Sequence, residues 1–425
     1  MSLDPAAVDL LRRLAPQVLA TLVRRYGEFD RAEDAVQEAL VAAVERWPLD
    51  GLPEQPSGWL HTVAARRYVD LVRADAARAR RERTALRLTP HDTHVAPPPD
   101  TEPPRDDLLE LFLLCCHPAL SSAAQLALTL RAVGGLTTTE VAAAFLVSER
   151  TMGQRISRAK LRLREADARF APPSQTEREI RLSVVRQVLY LMFNEGYSAS
   201  NGPHLRRADL TGQALRLTRR LHEQLPGDGE TGGLLALMLL TEARATARVD
   251  PNGELVPLAK QDRRRWDRRA IDEGRALVEQ SLAASPPGPY RIQAAIAAVH
   301  AEAPNTAATD WPQVLALYEL LERLAPNPVV TLNRAVAVGV VCGPTAGLAV
   351  LSELESGLLA GHHRLHAVRA HLLDLAGDRA AAAAQWRTAA HRAGSEPERR
   401  YLLRRAAAAS DPTRRSCDPA HSEVR

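Results

Sequence analysis

Apolar side chains recur at three- and four-residue spacing along most of this sequence, the period of a helix that buries one face. The pattern is sharpest over residues 137–168. There Met152, Ile156, Ala159 and Leu163 fall at i, i+4, i+7 and i+11, which predicts one buried stripe. Thr137 with Glu140 forms the pattern of a capping box for a short preceding helix, and Ser148 is placed to cap the longer one. Opposite the stripe stand Arg150, Gln154 and Ser157, with Arg158 on the flank; Arg155, Lys160, Arg162 and Arg164 surround that face.

Nearer the front, 30–47 predicts a helix capped by Asp30, with Glu33 at its third position and Val36, Leu40, Val44 and Trp47 buried. Asp34, Glu38 and Glu45 point outward, and Gln37 lies at the edge. A Pro/Gly loop over 48–58 leads into a helix from Trp59 to about Arg83. Leu60, Val63, Ala64, Leu71 and Ala74 make its predicted inner stripe, Arg66 and Arg73 its outer face. Arg67 falls within the apolar stripe, which suggests a structural role.

Proline-rich sequence over 84–106 reads as a linker, and a second break follows at 170–176. The expected organisation is thus 1–83, the linker 84–106, 107–170, and a long Ala/Leu-rich tail over 177–410. In that tail, helices begin near Pro312, Pro344 and Asp378, each with a partner near Pro328, His362 and Pro397. First-helix spacings of 32 and 34 residues approach the ~34-residue period of tetratricopeptide repeats.

Composition narrows the fold. Of 425 residues 45% are hydrophobic but only 4% aromatic, so the core must be built from Ala, Leu and Val, and an all-α fold is expected. Net charge is only +4; the distribution of arginine says more than its total, because lysine occurs just twice, at Lys160 and Lys260. Cys115, Cys116, Cys342 and Cys417 form no CxxC or disulfide framework, which reads as a reducing, cytoplasmic setting. No signal peptide or membrane span is expected.

A short helix, a tight turn and a longer basic helix make a helix-turn-helix, whose polar centre can reach base edges while flanking cations hold phosphates. An αα-hairpin with a solvated basic face fits the same pattern. The acidic face over 30–47 fits either solvent or a basic partner. Asn194, Glu195, Tyr197 and Ser198 cluster in FNEGYSASNG, which reads as an interhelical connection rather than a catalytic loop. His362, His363 and His366 lack a nearby carboxylate or Cys to complete a metal site. No cofactor and no catalytic residue are expected.

Taken in order, DRAEDAVQEALVAAVERWP, WLHTVAARRYVDLVR, the proline-rich linker and LTTTEVAAAFLVSERTMGQRISRAK resemble regions 2 and 4 of extracytoplasmic-function sigma factors. HPALSSAAQLALTLRAVGGL, LYLMFNEGYSASNG and GPYRIQAAIAAVHAEAP resemble the subgroup with a tetratricopeptide-like C-terminal extension. The resemblance implies core RNA polymerase (β′ clamp and β flap) and promoter DNA as partners, and a protein or ligand partner for the repeats. It implies that Asp34, Gln37 and Glu38 dock on the β′ clamp, that the 48–58 loop captures a flipped base, and that the helix bearing Trp59, Arg66 and Arg73 reads the minus-ten element. Gln154 and Arg158 match minus-thirty-five readers, with Arg150, Arg155, Ser157, Lys160 and Arg162 around them. Two departures stand out: Arg66 replaces a common Asn, and Gly153 replaces a common Arg or Lys. A stand-alone helix-turn-helix regulator with a repeat sensor is the alternative, and it leaves residues 10–83 without a role.

Overall fold

The computed structural model describes residues 4–84, 108–145, 147–166, 174–200, 202–284, 287–356 and 359–410. It is all-α, with no β-strand among the described residues. The chain divides into two compact units, 1–189 and 190–425. Of the expected linker over 84–106 only Thr84 is described, as the last residue of the third helix; the rest of it and residues 170–173 of the 170–176 break lie outside the described residues.

The first unit opens with α1 (Pro5–Tyr26), α2 (Phe29–Asp50) and α3 (Pro56–Thr84), packed on one another. α2 differs from its expected form in three ways. It starts one residue before Asp30 because Phe29 is itself buried, so Asp30 sits in the first turn and is not the cap. Its buried stripe is the smaller set Ala32, Ala35, Val36, Ala39, Ala43 and Trp47, whereas Val44 is 49% exposed. Alanine lets neighbouring backbones approach, and that choice rotates the contact face away from Val44. Finally, α2 runs through Pro48 to Asp50 and stops at Gly51 (φ 85°), so the connecting loop is shorter than 48–58.

On α3 the buried positions are Leu60, Ala64 and Tyr68, while Ala74 is exposed and Leu71 half-buried. Tyr68 stacks on Tyr26 at 4.2 Å. Arg67 is not structural in the expected sense: it is exposed, 3.5 Å from Glu38. Next come α4 (Leu108–Cys115), α5 (Ser122–Ala132), α6 (Thr138–Ala144) and α7 (Glu149–Glu165). Cys115 and Cys116 are buried free thiols, both pushed up in pKa chiefly by that burial. None of the described helices is long and apolar enough to cross a membrane.

α8 (Gln175–Tyr197) leads into the second unit, which holds α9 (Ala208–Gln224), α10 (Gly229–Glu242), α11 (Arg268–Ala284), α12 (Pro289–Glu302), α13 (Trp311–Leu324), α14 (Pro328–Val341), α15 (Pro344–Ser352), α16 (His363–Leu375), α17 (Arg379–Arg392) and α18 (Glu396–Ser410). From α10 onward each helix packs on its chain neighbours, so small cores pass from pair to pair. Starts follow the expected positions because local chemistry sets them. Asp310, Asn327 and Asp378 cap α13, α14 and α17 through their side chains, and Gly377 (φ 84°) turns the chain before Asp378.

Close crossings demand glycine. A Cβ on Gly196 would lie 2.5 Å from the Thr211 backbone nitrogen and 2.8 Å from Leu210 Cβ. Because backbone blocks it, Gly196→Ala should cost about 2 kcal/mol and lower the melting temperature by roughly 4–8 °C in thermal unfolding followed by circular dichroism. An unchanged melting temperature would mean that the crossing yields.

Candidate nucleic-acid interface

Two helices joined by a tight turn present the basic surface. Thr137 and Glu140 form a reciprocal capping box, with Thr137 N donating to Glu140 Oε2 at 2.8 Å and Glu140 N to Thr137 Oγ1 at 3.2 Å. Ser148 caps α7 by accepting from Thr151 N at 3.2 Å. Met152, Ile156, Ala159 and Leu163 are the buried residues of α7, as their spacing predicts. With that stripe turned inward against α5, α6 and α2, geometry dictates what faces out. Arg150, Gln154, Ser157, Arg158 and Arg162 are exposed, and Arg155 is half-buried with its guanidinium 5.4 Å over the Phe145 ring. Gly153 has nothing within 4 Å of a notional Cβ, so the missing side chain there leaves the outer face open.

Lys160 lies elsewhere. Its ammonium is 2.7 Å from Glu33 Oε2, 3.0 Å from Asp34 Oδ1 and 3.2 Å from Asp30 Oδ1, and its side chain is only 11% exposed. Burial alone would push the Lys160 pKa down; Glu33 and Asp34 outweigh it and hold the ammonium above its ordinary range. Glu33, 4% exposed, also has Arg131 Nε at 3.4 Å. A third link ties α1 to α6, where Arg12 pairs with Glu140 at 2.7 Å. The helix-turn-helix is therefore held on α1 and α2 by charge pairs as well as apolar contact. Beside the Lys160 group lies a cavity of about 300 Å³ lined by Asp30, Asp34, Leu71, Asp75, Lys160 and Arg164, among others.

Asp34 and Glu38 are exposed on α2 and Gln37 is half-buried, so the three share one acidic side. On α3, Arg66 and Arg73 are exposed, and half-buried Trp59 packs edge-on against Trp47 at 5.7 Å. The structure thus brings Asp34 and Lys160, assigned by sequence to different surfaces, into direct contact. Glu33 is the residue that sequence reasoning placed in a capping role and missed as a charge centre. Its signal was a carboxylate one residue after Ala32 and three before Val36, on the buried side of the helix.

The remaining polar clusters do local work. Glu195 accepts from Ser200 N at 3.1 Å and Ser200 Oγ at 2.6 Å, closing the turn after α8. His362 caps α16 and stacks on His363 at 4.5 Å, while His366 bonds Gln385 at 2.8 Å. Among the described residues no group of His, Cys, Asp or Glu could hold a metal ion.

Comparison with known proteins adds the context of these surfaces. Residues 10–78 match Sigma-70 region 2, residues 113–163 match Sigma-70, region 4, and residues 181–282 match a family of unknown function, DUF6596. An uncharacterized protein of Rhizobium meliloti (strain 1021) is 44% identical over 373 residues, covering 87% of this chain and 88% of that protein. The ECF RNA polymerase sigma factor SigE of Mycolicibacterium smegmatis (strain ATCC 700084 / mc(2)155) is 29% identical over 164 residues, covering 38% of this chain and 61% of that protein. No solved structure matches the chain.

Proposed function

This chain is a sigma-70-family protein that also shares one family with the Rhizobium meliloti relative, and on that premise we propose that it is an extracytoplasmic-function-type sigma factor with a regulatory C-terminal extension. It docks on the core polymerase through Asp34, Gln37 and Glu38, reads the minus-ten element through the Trp59–Arg73 face and the minus-thirty-five element through α7. No bond is made or broken. The protein lends sequence specificity to the polymerase, and extruding a promoter base costs a few kcal/mol that contacts on region 2 must offset. The helical pairs after α8 act as a tetratricopeptide-like module that biases this activity, in a cytoplasmic setting.

One observation carries the reading: α7 buries four apolar residues and presents Arg150, Gln154, Ser157, Arg158 and Arg162 together on its outer face, the disposition a major-groove helix needs. Lys160 and Asp34 qualify the picture, because each is already the other's partner at 3.0 Å. Binding of DNA phosphate at Lys160 or of polymerase at Asp34 competes with that pair.

Run-off transcription with purified core polymerase tests the assignment. Arg158→Ala should reduce discrimination between intact and mutated minus-thirty-five elements by about tenfold. Arg162→Ala should weaken all promoters alike and lower the salt slope of binding by about one. Identical responses of the two variants on both templates would remove the division between base reader and phosphate holder. Specific promoter binding without polymerase would instead favour a stand-alone regulator.

A further inference from the structure

The second unit curls until its two ends touch. Glu254, in the turn after α10, accepts from Arg400 Nε on α18 at 2.7 Å and also pairs with Arg404. Gly202, between α8 and α9, accepts from Glu396 N at 3.0 Å. Inside this closure four guanidiniums collect around the C-terminal end of α10. Arg206 pairs with Glu242 on α10, and Arg248 donates to the Tyr197 carbonyl while lying 3.8 Å over the Tyr197 ring. Arg263 donates to the carbonyls of His300 at 2.7 Å and Ala303 at 2.5 Å. Its segment is tied to that of Arg244 by Asp267 N donating to Ala243 O at 2.9 Å and Thr246 Oγ1 to Arg265 O at 2.7 Å.

The charges do not balance. Glu242 pairs with Arg206 and also feels Arg248, to which Glu398 lends a weaker attraction; Arg248 and Arg263 are otherwise met by carbonyls and rings, and Arg244 has no carboxylate partner among the described residues. Nearby carboxylates are committed elsewhere: Glu398 to His363 at 3.3 Å, Glu254 to Arg400 and Arg404, and Asp262 to Arg264. Arg206 Nε, Arg244 Nε, Arg263 Nη2 and Glu242 Oε2 are all buried without a hydrogen-bond partner. All four arginines are half-buried, so they have lost water yet stay reachable. Burial first, then neighbouring guanidiniums, depress Arg248 and Arg263, and His300 is lowered to about 4 by burial with Arg244 and Arg263 beside it. A folded chain that gathers like charges and orphaned donors needs a counter-charge, and planar N–H forks suit a carboxylate or phosphate.

We propose that this Arg206–Arg244–Arg248–Arg263 cluster is an oxyanion-binding site that takes the carboxylate or phosphate group of a small molecule, with Arg244 as its principal unpaired ligand. The site lies wholly within the second unit and stands whether or not the first unit serves polymerase. Bound there, an anion would tighten the contact between the ends of the unit, which gives the helical pairs a means to sense a metabolite.

Titration calorimetry and thermal unfolding of the full chain test this, with inorganic phosphate and citrate as probes against sodium chloride at matched ionic strength. One probe should bind saturably and raise the melting temperature by about 3–6 °C at tenfold excess over Kd. Saturation by phosphate alone assigns a phosphate ligand, and by citrate alone a carboxylate ligand. Arg244→Gln should weaken that binding at least tenfold yet melt no lower than wild type in chloride, since it relieves like-charge repulsion. Arg264→Gln, whose side chain is 91% exposed and bound to Asp262, should bind as wild type does. The proposal falls if neither probe saturates, if Arg244→Gln binds equally well, or if that variant melts well below wild type in chloride, which would make the guanidinium structural.

Discussion

Replacing Lys160 with methionine should lower the stability of the first unit by about 2–3 kcal/mol, read as an earlier transition in calorimetry of the full chain. The cost arises less from the attraction lost than from what remains. Glu33, 4% exposed, would keep only Arg131 at 3.4 Å, with one carboxylate oxygen already lacking a hydrogen bond. Asp30 and Asp34 would face it without the ammonium that now contacts all three. The figure sits below the full cost of breaking a buried pair because Arg131 stays and Asp34 reaches water. Glu33→Gln combined with Lys160→Met should recover part of the loss, since the double variant no longer buries the Glu33 carboxylate without its ammonium, and Arg131 keeps its bond to the Leu136 carbonyl at 3.0 Å. Asp34→Asn alone should cost under ~1 kcal/mol, as exposed pairs do. Alkali gives the same answer by titration. The folded-state pKa of Lys160 is raised, so its contribution is complete below the free-lysine value near ~10.4 and is lost as pH climbs beyond it through the folded value. A Lys160→Met protein should therefore lack that alkaline loss; if both proteins lost stability in parallel above that pH, the Glu33–Lys160 pair would not be holding α7.

The same pair marks where sequence reasoning stopped. Elements with strong local signals were legible: the α7 stripe, the Thr137–Glu140 box and the Ser148 cap depend on residues within one or two turns of each other. So were the starts of α13 to α18, set at turns by Asp310, Asn327 and Asp378, by Pro344 and Pro397, and at α16 by His362. What failed was decided by partners remote in sequence. The inward face of α2 follows from alanines that admit a neighbouring helix, so Val44 was misplaced. Lys160 reads as one more cation on a basic helix until α2, more than a hundred residues earlier, supplies three carboxylates. Arg67 falls on the apolar stripe by spacing, yet α3 turns Leu60, Ala64 and Tyr68 inward and leaves Arg67 at the surface beside Glu38. The arginine cluster around Arg244 was invisible for the same reason, since its members come from three separate segments, with Arg206, the Arg244–Arg248 stretch and Arg263 on one each.

Reversing charge at Asp34 and Glu38 together, by Asp34→Arg and Glu38→Arg, should abolish co-purification with core polymerase, a loss of at least a hundredfold in affinity. Both residues are exposed on one side of α2, where their expected partner is a basic surface. Like charges brought face to face at an interface cost several kcal/mol. The fold should survive, because Lys160 retains Glu33 at 2.7 Å and Asp30 at 3.2 Å when Asp34 is gone, and Arg67 loses only an exposed partner at 3.5 Å. The melting temperature should fall by no more than a few degrees. The neutral pair Asp34→Ala and Glu38→Ala separates two causes. If attraction to polymerase matters, the neutral variant should bind with intermediate affinity and reduced salt dependence. Should both variants co-elute with polymerase as wild type does, the acidic side of α2 serves Lys160 alone, and polymerase is held elsewhere.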